Sequence, residues 1–288
     1  MTAVRLPVAP EAHGGARRLA WLGQQAVLAL YDELALFPKP GLVSFVDSGS
    51  HSDMDARTFM RSLFALRRAF PELARLGASR APFAELQAAG ITAEAHMMQA
   101  TGGVNTHRGA IFTLGLLCAA AGLCHAHGLP LTAAHLRRSL MGQWGEELTR
   151  RAQRRRDTNG SRAARALGLR CVGAEAAEGF PVLFETVWPQ LRGALARGLS
   201  QQNARLEALF AAMAVLDDTN VAHRGGLAGL LHVQSQAHAF LEAGGDHADV
   251  QARALALHHD FVHRRLSPGG AADLLAAACW LQRVTRGL

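Results

Sequence analysis

The chain has 288 residues, long enough for one large domain or two modest ones with a sizeable buried core. Aromatic residues make up 6% and Ile occurs only twice, while Ala and Leu dominate, so strand formers are scarce and the composition predicts an all-α protein. A formal charge of +7 favours polyanionic partners, but aromatics do not interleave with the basic residues and no zinc-finger or basic-zipper spacing occurs, which argues against nucleic acid.

Residues 1–14, with Pro7, Pro10 and Gly14, read as a flexible tail, and 15–288 as a single all-helical catalytic domain. From 16 to 37, Leu19, Leu22, Ala26, Leu30, Leu34 and Phe37 recur at three- and four-residue steps, the period of an amphipathic helix, and Pro38 and Pro40 end it. A loop rich in Ser, Asp and Gly follows over 41–52. Ser52 or Asp53 then caps a helix carrying Met54, Phe59, Leu63, Leu66 and Phe70. Further helices are predicted over 83–100, 108–127 and 132–150. The stretch 150–161 (RRAQRRRDTNGS) reads as a charged connector, either a solvated basic loop or a flap over phosphates. Helices resume over 181–197, 202–216, 225–243, 248–266 and from Asp273 to Thr285. About ten helices joined by short polar segments describe one multi-helix bundle with its active site in loops at helix ends.

Cys118, Cys124, Cys171 and Cys279 form no CxxC pair and read as reduced thiols of a cytoplasmic protein. With no uninterrupted run of 18 apolar residues and no signal-type N-terminus, neither a membrane nor secretion is expected.

Two stretches 115 residues apart nearly repeat each other: Asn105-Thr106-His107-Arg108-Gly109 and Asn220-Val221-Ala222-His223-Arg224-Gly225. Each follows a polar turn and leads into an apolar helix. A basic, glycine-bearing turn at a helix start suits an anion, because unpaired N–H groups and the positive dipole end point there. Taken singly, each is equally an Asn cap and a Gly turn; together they suggest a ligand with several phosphates. A second signal is Lys39, the only Lys among 30 basic residues, in Phe37-Pro38-Lys39-Pro40-Gly41-Leu42-Val43. Where Arg otherwise replaces Lys throughout, a retained ammonium points to a site that a guanidinium does not fit.

The polar clusters supply Lys39, Arg108 and Arg224 for phosphates, with Asn105, His107, Asn220, His223, Gly225, Ser267 and Gly269 beside them. They also supply Asp47, Asp53, Asp217, Asp218 and Asp273 as acids, and His51, His107 and His223 as proton carriers or donors. Paired Asp217 and Asp218 suit Mg²⁺ held jointly with phosphate oxygens. P-loop, dinucleotide-fold, zincin and nucleophile-elbow motifs are absent. His259 and His263 stand at i, i+4 spacing but on what reads as a polar face.

In this order and spacing, PKPGLV, GSHSDM, TGGVNTHRGAIF, DDTNVAHRGG and SPGGAADLL closely resemble the triphosphoribosyl-dephospho-CoA synthase family, from about Trp21 to the C-terminus. The resemblance implies an all-α fold and transfer of the 5-triphosphoribosyl group of ATP to the 2′-hydroxyl of 3′-dephospho-CoA, with release of adenine. The product is the prosthetic-group precursor for the acyl carrier protein of malonate decarboxylase or citrate lyase, handed on by a carrier-protein transferase. Two departures stand out: Ser44 where the family commonly has Asp, and Asp47-Ser48-Gly49-Ser50-His51 where it shows Asn-Asn-Gly-Ala-His, so that a carboxylate has moved by three positions. On this reading Lys39, Arg108 and Arg224 hold phosphates, Asp217 or Asp218 holds Mg²⁺, and His51, Asp47, Asp53 or Asp218 does acid–base work. Lys39→Met is then expected to abolish adenine release without unfolding the protein. A transferase for another acceptor, or a basic adaptor for a carrier protein, remains the alternative, and apolar helices at both ends could support a homodimer.

Overall fold

The structure is a computed structural model that describes residues 10–153, 159–244 and 247–285. These form thirteen α-helical segments and one π-helical segment, with no strand among the described residues. The expected tail lies partly outside them (residues 1–9), and helix α1 spans Pro10–Leu34.

The centre of the bundle is α5, Arg108–Ala126. It is apolar all round rather than on one stripe, and fourteen of its nineteen residues are buried, the mark of a helix enclosed by others. It has the length and hydropathy of a membrane span, but the span-like window is 78% buried inside the fold. The helices around it are α1, α3 (Ala69–Ala78), α4 (Phe83–Ala100), α6 (Ala133–Gln153) and α13 (Gly269–Thr285). Contact between α3 and α5 depends on missing side chains. A Cβ on Gly77 would lie 1.9 Å from the Ala119 carbonyl oxygen, and one on Gly122 1.9 Å from that of Ala74. Backbone therefore meets backbone along this seam.

The helix expected after the first loop is two. Asp55, rather than Ser52 or Asp53, caps α2 (Ala56–Leu66), accepting from the Thr58 N–H at 2.8 Å. Pro71 has no N–H to give the Arg67 carbonyl, so the ladder breaks and α3 starts anew. The described residues of the basic connector are helical: α6 continues to Gln153, and α7 (Asn159–Leu167) and α8 (Val172–Ala177) follow. Residues 154–158, the middle of the proposed flap, lie outside the described residues. Next come a π-helical segment, Val182–Val187, and α9, Trp188–Ala196. Pro189 cannot donate to Glu185, and the Trp188 N–H reaches back five residues to Leu183 instead. Then come α10 (Gln201–Val215), α11 (Thr219–Ala243) and α12 (His247–His263).

Candidate active site

A cleft of about 1530 Å³ opens where the N-termini of α5, α11 and α13 meet. Asp218 joins two of them. It caps α11 by accepting from the Asn220 and Val221 N–H groups at 2.9 and 3.3 Å. Its other oxygen accepts from the Ala271 N–H of α13 at 3.0 Å, with the Gly270 N–H beside it. Burial raises the Asp218 carboxyl above its ordinary value, and these four backbone donors oppose the rise. Asn220 packs on Gly269, where a Cβ would lie 2.8 Å from its Nδ2. Asp273 of α13 interacts with the Ala110 N–H at the head of α5, its Oδ2 resting against bare Gly109. Three positive dipole ends thus face one cavity.

The two echoed stretches both reach this cleft, by different local structures. Asn105 accepts from the Arg108 N–H at 3.1 Å and starts α5 from the loop, as expected. The second stretch lies inside α11, whose start is Thr219 and not Gly225. The Asp218 cap begins the helix early, and Gly226, at φ 63° and ψ −164°, kinks it where the sequence marked its beginning.

Arg108 pairs with Glu94 of α4. Arg224 donates to the Ser50 carbonyl at 3.0 Å and to His51 Nδ1 at 3.0 Å. His51 Nε2 therefore carries the proton and donates to Ser267 Oγ at 2.8 Å. Burial first, then the Arg224 charge, lowers the His51 pKa, so the ring is neutral at pH 7. Asn105, His107, Arg108, His223, Arg224, Asn220, Ser267 and Gly269 line the cleft together with His51, Asp217, Asp218 and Asp273.

Lys39, Asp47, Asp53 and Gly225 do not line it. Lys39 is fully buried behind Glu33, donating to the Glu33 carboxylate and, at 2.8 Å, to the Glu33 carbonyl. Burial pulls its ammonium below the ordinary value and Glu33 opposes that pull. Glu33, not Lys39, reaches the cavity wall. Asp47 braces its own loop: one oxygen accepts from the Gly49 N–H at 2.8 Å, and the other lies 3.0 Å from His258 Nε2. His258 Nδ1 is 2.9 Å from the Lys39 carbonyl, so this buried ring ties both ends of the loop to α12. Ser44 Oγ accepts from the Val46 N–H at 3.1 Å and turns the same loop. Asp53 is exposed, 3.6 Å from His51. Gly225 lets α11 approach Leu266, whose Cδ2 would be 2.5 Å from a Cβ there.

The acidic pair does not fit a preformed Mg²⁺ site. The oxygens of Asp218 are occupied by backbone donors, and Asp217 Oδ2 accepts from the Arg170 N–H at 2.9 Å. No group of three His, Cys, Asp or Glu side chains able to hold a metal exists among the described residues.

Sequence reading missed one wall of the cleft. Arg151 of α6, whose guanidinium lies over Phe83 and Phe112, and Arg170, ion-paired to Glu175 and Glu178 of the α8 region, line the same cavity as Arg108. The signal for Arg151 was the density of Arg in a segment, 150–161, that resembles a solvated connector; Arg170 lies beyond it. The head of α5 also carries buried polar atoms without a protein partner: His107 Nε2, Thr106 Oγ1 and Thr113 Oγ1, all from cleft-lining residues. The other His107 nitrogen is 2.6 Å from Ser62 Oγ, and burial together with nearby Lys39 pushes its pKa down to about 3. Unsatisfied buried groups in an open cleft are what a polar ligand completes.

The family described as ATP:dephospho-CoA triphosphoribosyl transferase matches residues 19–288. A Stutzerimonas stutzeri protein named "Probable 2-(5''-triphosphoribosyl)-3'-dephosphocoenzyme-A synthase" is 42% identical, over 96% of this chain and 95% of its own. Proteins of the same name from Acinetobacter calcoaceticus (38% identical, 89% of this chain and 88% of theirs) and Azotobacter vinelandii (41%, 90% and 89%) also match. This chain therefore belongs to the ATP:dephospho-CoA triphosphoribosyl transferase family.

Proposed function

We infer that the chain transfers the 5-triphosphoribosyl group of ATP to the 2′-hydroxyl of 3′-dephospho-CoA and releases adenine, and that the cleft described above is where it does so. The observation that carries this is the meeting of three helix N-termini with Arg108 and Arg224 in one cavity. Such a site suits a triphosphate through the two guanidinium groups and the helix dipoles, which are fixed before the charge arrives. The cavity also exceeds the roughly 300–1,000 Å³ usual for one small molecule. ATP fills the end near Arg108 and Arg224, and the pyrophosphate of the acceptor lies along Arg151 and Arg170.

Displacing adenine from C1′ of a ribose passes through a cation-like sugar that a carboxylate stabilises, and the acceptor hydroxyl must lose a proton. Mg²⁺ enters as part of the substrate, bound to the triphosphate. We place the reaction in the cytoplasm, in keeping with four free thiols. The product passes to a carrier-protein transferase serving malonate decarboxylase or citrate lyase, and a homodimer is compatible with the exposed Leu227 and Leu231 of α11.

Purified protein mixed with ATP, Mg²⁺ and 3′-dephospho-CoA tests the reading by the appearance of free adenine. Release that needs both substrates is expected. ATP turnover that needs a different acceptor reassigns the substrate, and no nucleotide chemistry overturns the reading in favour of a carrier-protein adaptor.

A further inference from the structure

Five aspartates compete for the catalytic role, and four are committed elsewhere. Asp218 is taken up by backbone donors, Asp217 by the Arg170 N–H, and Asp47 by Gly49 and His258, while Asp53 lies outside the cleft wall. Asp273 lines the cavity beside two acidic groups, Glu33 and Asp218, and not beside a cation. Its position is built. The head of α5 supplies the Ala110 N–H, and Gly109 is bare where a Cβ would sit 1.9 Å from Oδ2. A carboxylate held among carboxylates at the focus of an anion cradle is complementary to positive charge arising between the phosphates and the acceptor.

Resting on the function proposed above, we propose that Asp273 is the catalytic carboxylate of the transfer, set against C1′ of the ATP ribose and within reach of the acceptor 2′-hydroxyl. The hydroxyl O–H bond breaks and its proton passes to Asp273. The oxygen forms a bond to C1′, and the C1′–N9 bond breaks with its electron pair leaving on adenine. Adenine takes up a proton from water and Asp273 returns its own, so the net reaction moves the hydroxyl proton to adenine. Burial, followed by the Asp218 and Glu33 charges, holds the Asp273 carboxyl well above its ordinary value, which makes it a better base than an exposed aspartate.

The test uses the full chain with Asp273→Asn and, separately, Gly109→Ala, reading adenine release at saturating ATP and 3′-dephospho-CoA from pH 6 to 9, ATP affinity by calorimetry, and Tm. Asp273→Asn keeps an acceptor for Ala110 and removes a buried charge. Its kcat should fall by about 10²-fold or more with ATP affinity preserved, Tm at pH 8 equal or higher, and the acidic limb of the rate profile lost. Gly109→Ala displaces the carboxylate and should lower kcat while the protein still binds ATP. If Gly109→Ala does not fold, Asp273→Asn decides alone. An Asp273→Asn enzyme that keeps more than about a tenth of kcat overturns the proposal, as does one that loses ATP affinity and melts lower. Should the unsubstituted protein itself release no adenine with this acceptor, the functional reading has failed instead.

Discussion

Lys39 and Glu33 meet inside the bundle although they stand only six positions apart along the chain, with Pro38 between them. The chain leaves α1, turns through Phe37-Pro38-Lys39-Pro40 and folds the ammonium back onto the last turn of the helix, where Nζ donates to both the carbonyl and the carboxylate of Glu33. The retained Lys is therefore a support behind the cavity wall. Removing it leaves a buried carboxylate alone, so Lys39→Met should destabilise the fold by ~3–5 kcal/mol, contrary to the expectation that it would spare folding. Denaturant unfolding of Lys39→Met and of the double variant with Glu33→Gln checks this. The double variant should recover most of the loss.

His107 gives the fold a defined acid sensitivity. Its ordinary value is 6.5 and its folded value about 3, so between those two the unfolded chain binds a proton that the folded chain refuses. Stability should fall as pH drops through that window, by about 1 kcal/mol per unit. His107→Gln, which cannot titrate, should lose less stability between pH 7 and pH 5 than the parent. Urea midpoints at the two pH values measure it, and equal losses in both proteins would remove His107 as the cause.

Helix packing at α3 and α5 makes a paired prediction. Gly77→Ala and Gly122→Ala each place a methyl group against backbone and should cost about 1–3 kcal/mol. Gly90→Ala within α4 meets nothing within 4 Å and should instead stabilise by roughly 0.5–1 kcal/mol. Thermal melts of the three variants decide between close packing and simple helix propensity.

Arg108 and Arg224 should separate from the scaffold residues in kinetics. Both are partly exposed at the cavity, so alanine there should leave Tm nearly unchanged. The catalytic efficiency with ATP should drop roughly 10²-fold, mainly through KM where the contact is equal in ground and transition states. Glu94→Gln frees Arg108 from its partner and should preserve ATP affinity or increase it. Equal losses for Glu94→Gln and Arg108→Ala would mean that the ion pair, not the guanidinium, matters.

Much of this architecture is legible in the residues, and what is not has a physical cause. Helix α4 matches its expected bounds, and α5 and α10 match within a residue at each end, because apolar period and boundary signals agree there. That Arg108, His223, Arg224 and Ser267 share one cleft was legible, since polar loops at helix starts point to one end of a bundle. Asp217 and Asp218 are chemically equal in sequence and differ only in direction, a property of the α11 and α13 junction. The contact of His258 with a loop more than 200 residues away is likewise invisible to local pattern, which drew attention to exposed His259 and His263. Helix α7 was hidden because arginine on a cleft wall looks the same as arginine in solvent.

Mass spectrometry of the acceptor after reaction addresses the central claim most directly. Purified chain with Mg·ATP should convert 3′-dephospho-CoA to a species heavier by the triphosphoribosyl group, with one adenine released per product, and should leave the 2′-deoxy acceptor unmodified. ATP consumed without any gain in acceptor mass, or equal modification of the 2′-deoxy analogue, would contradict the account.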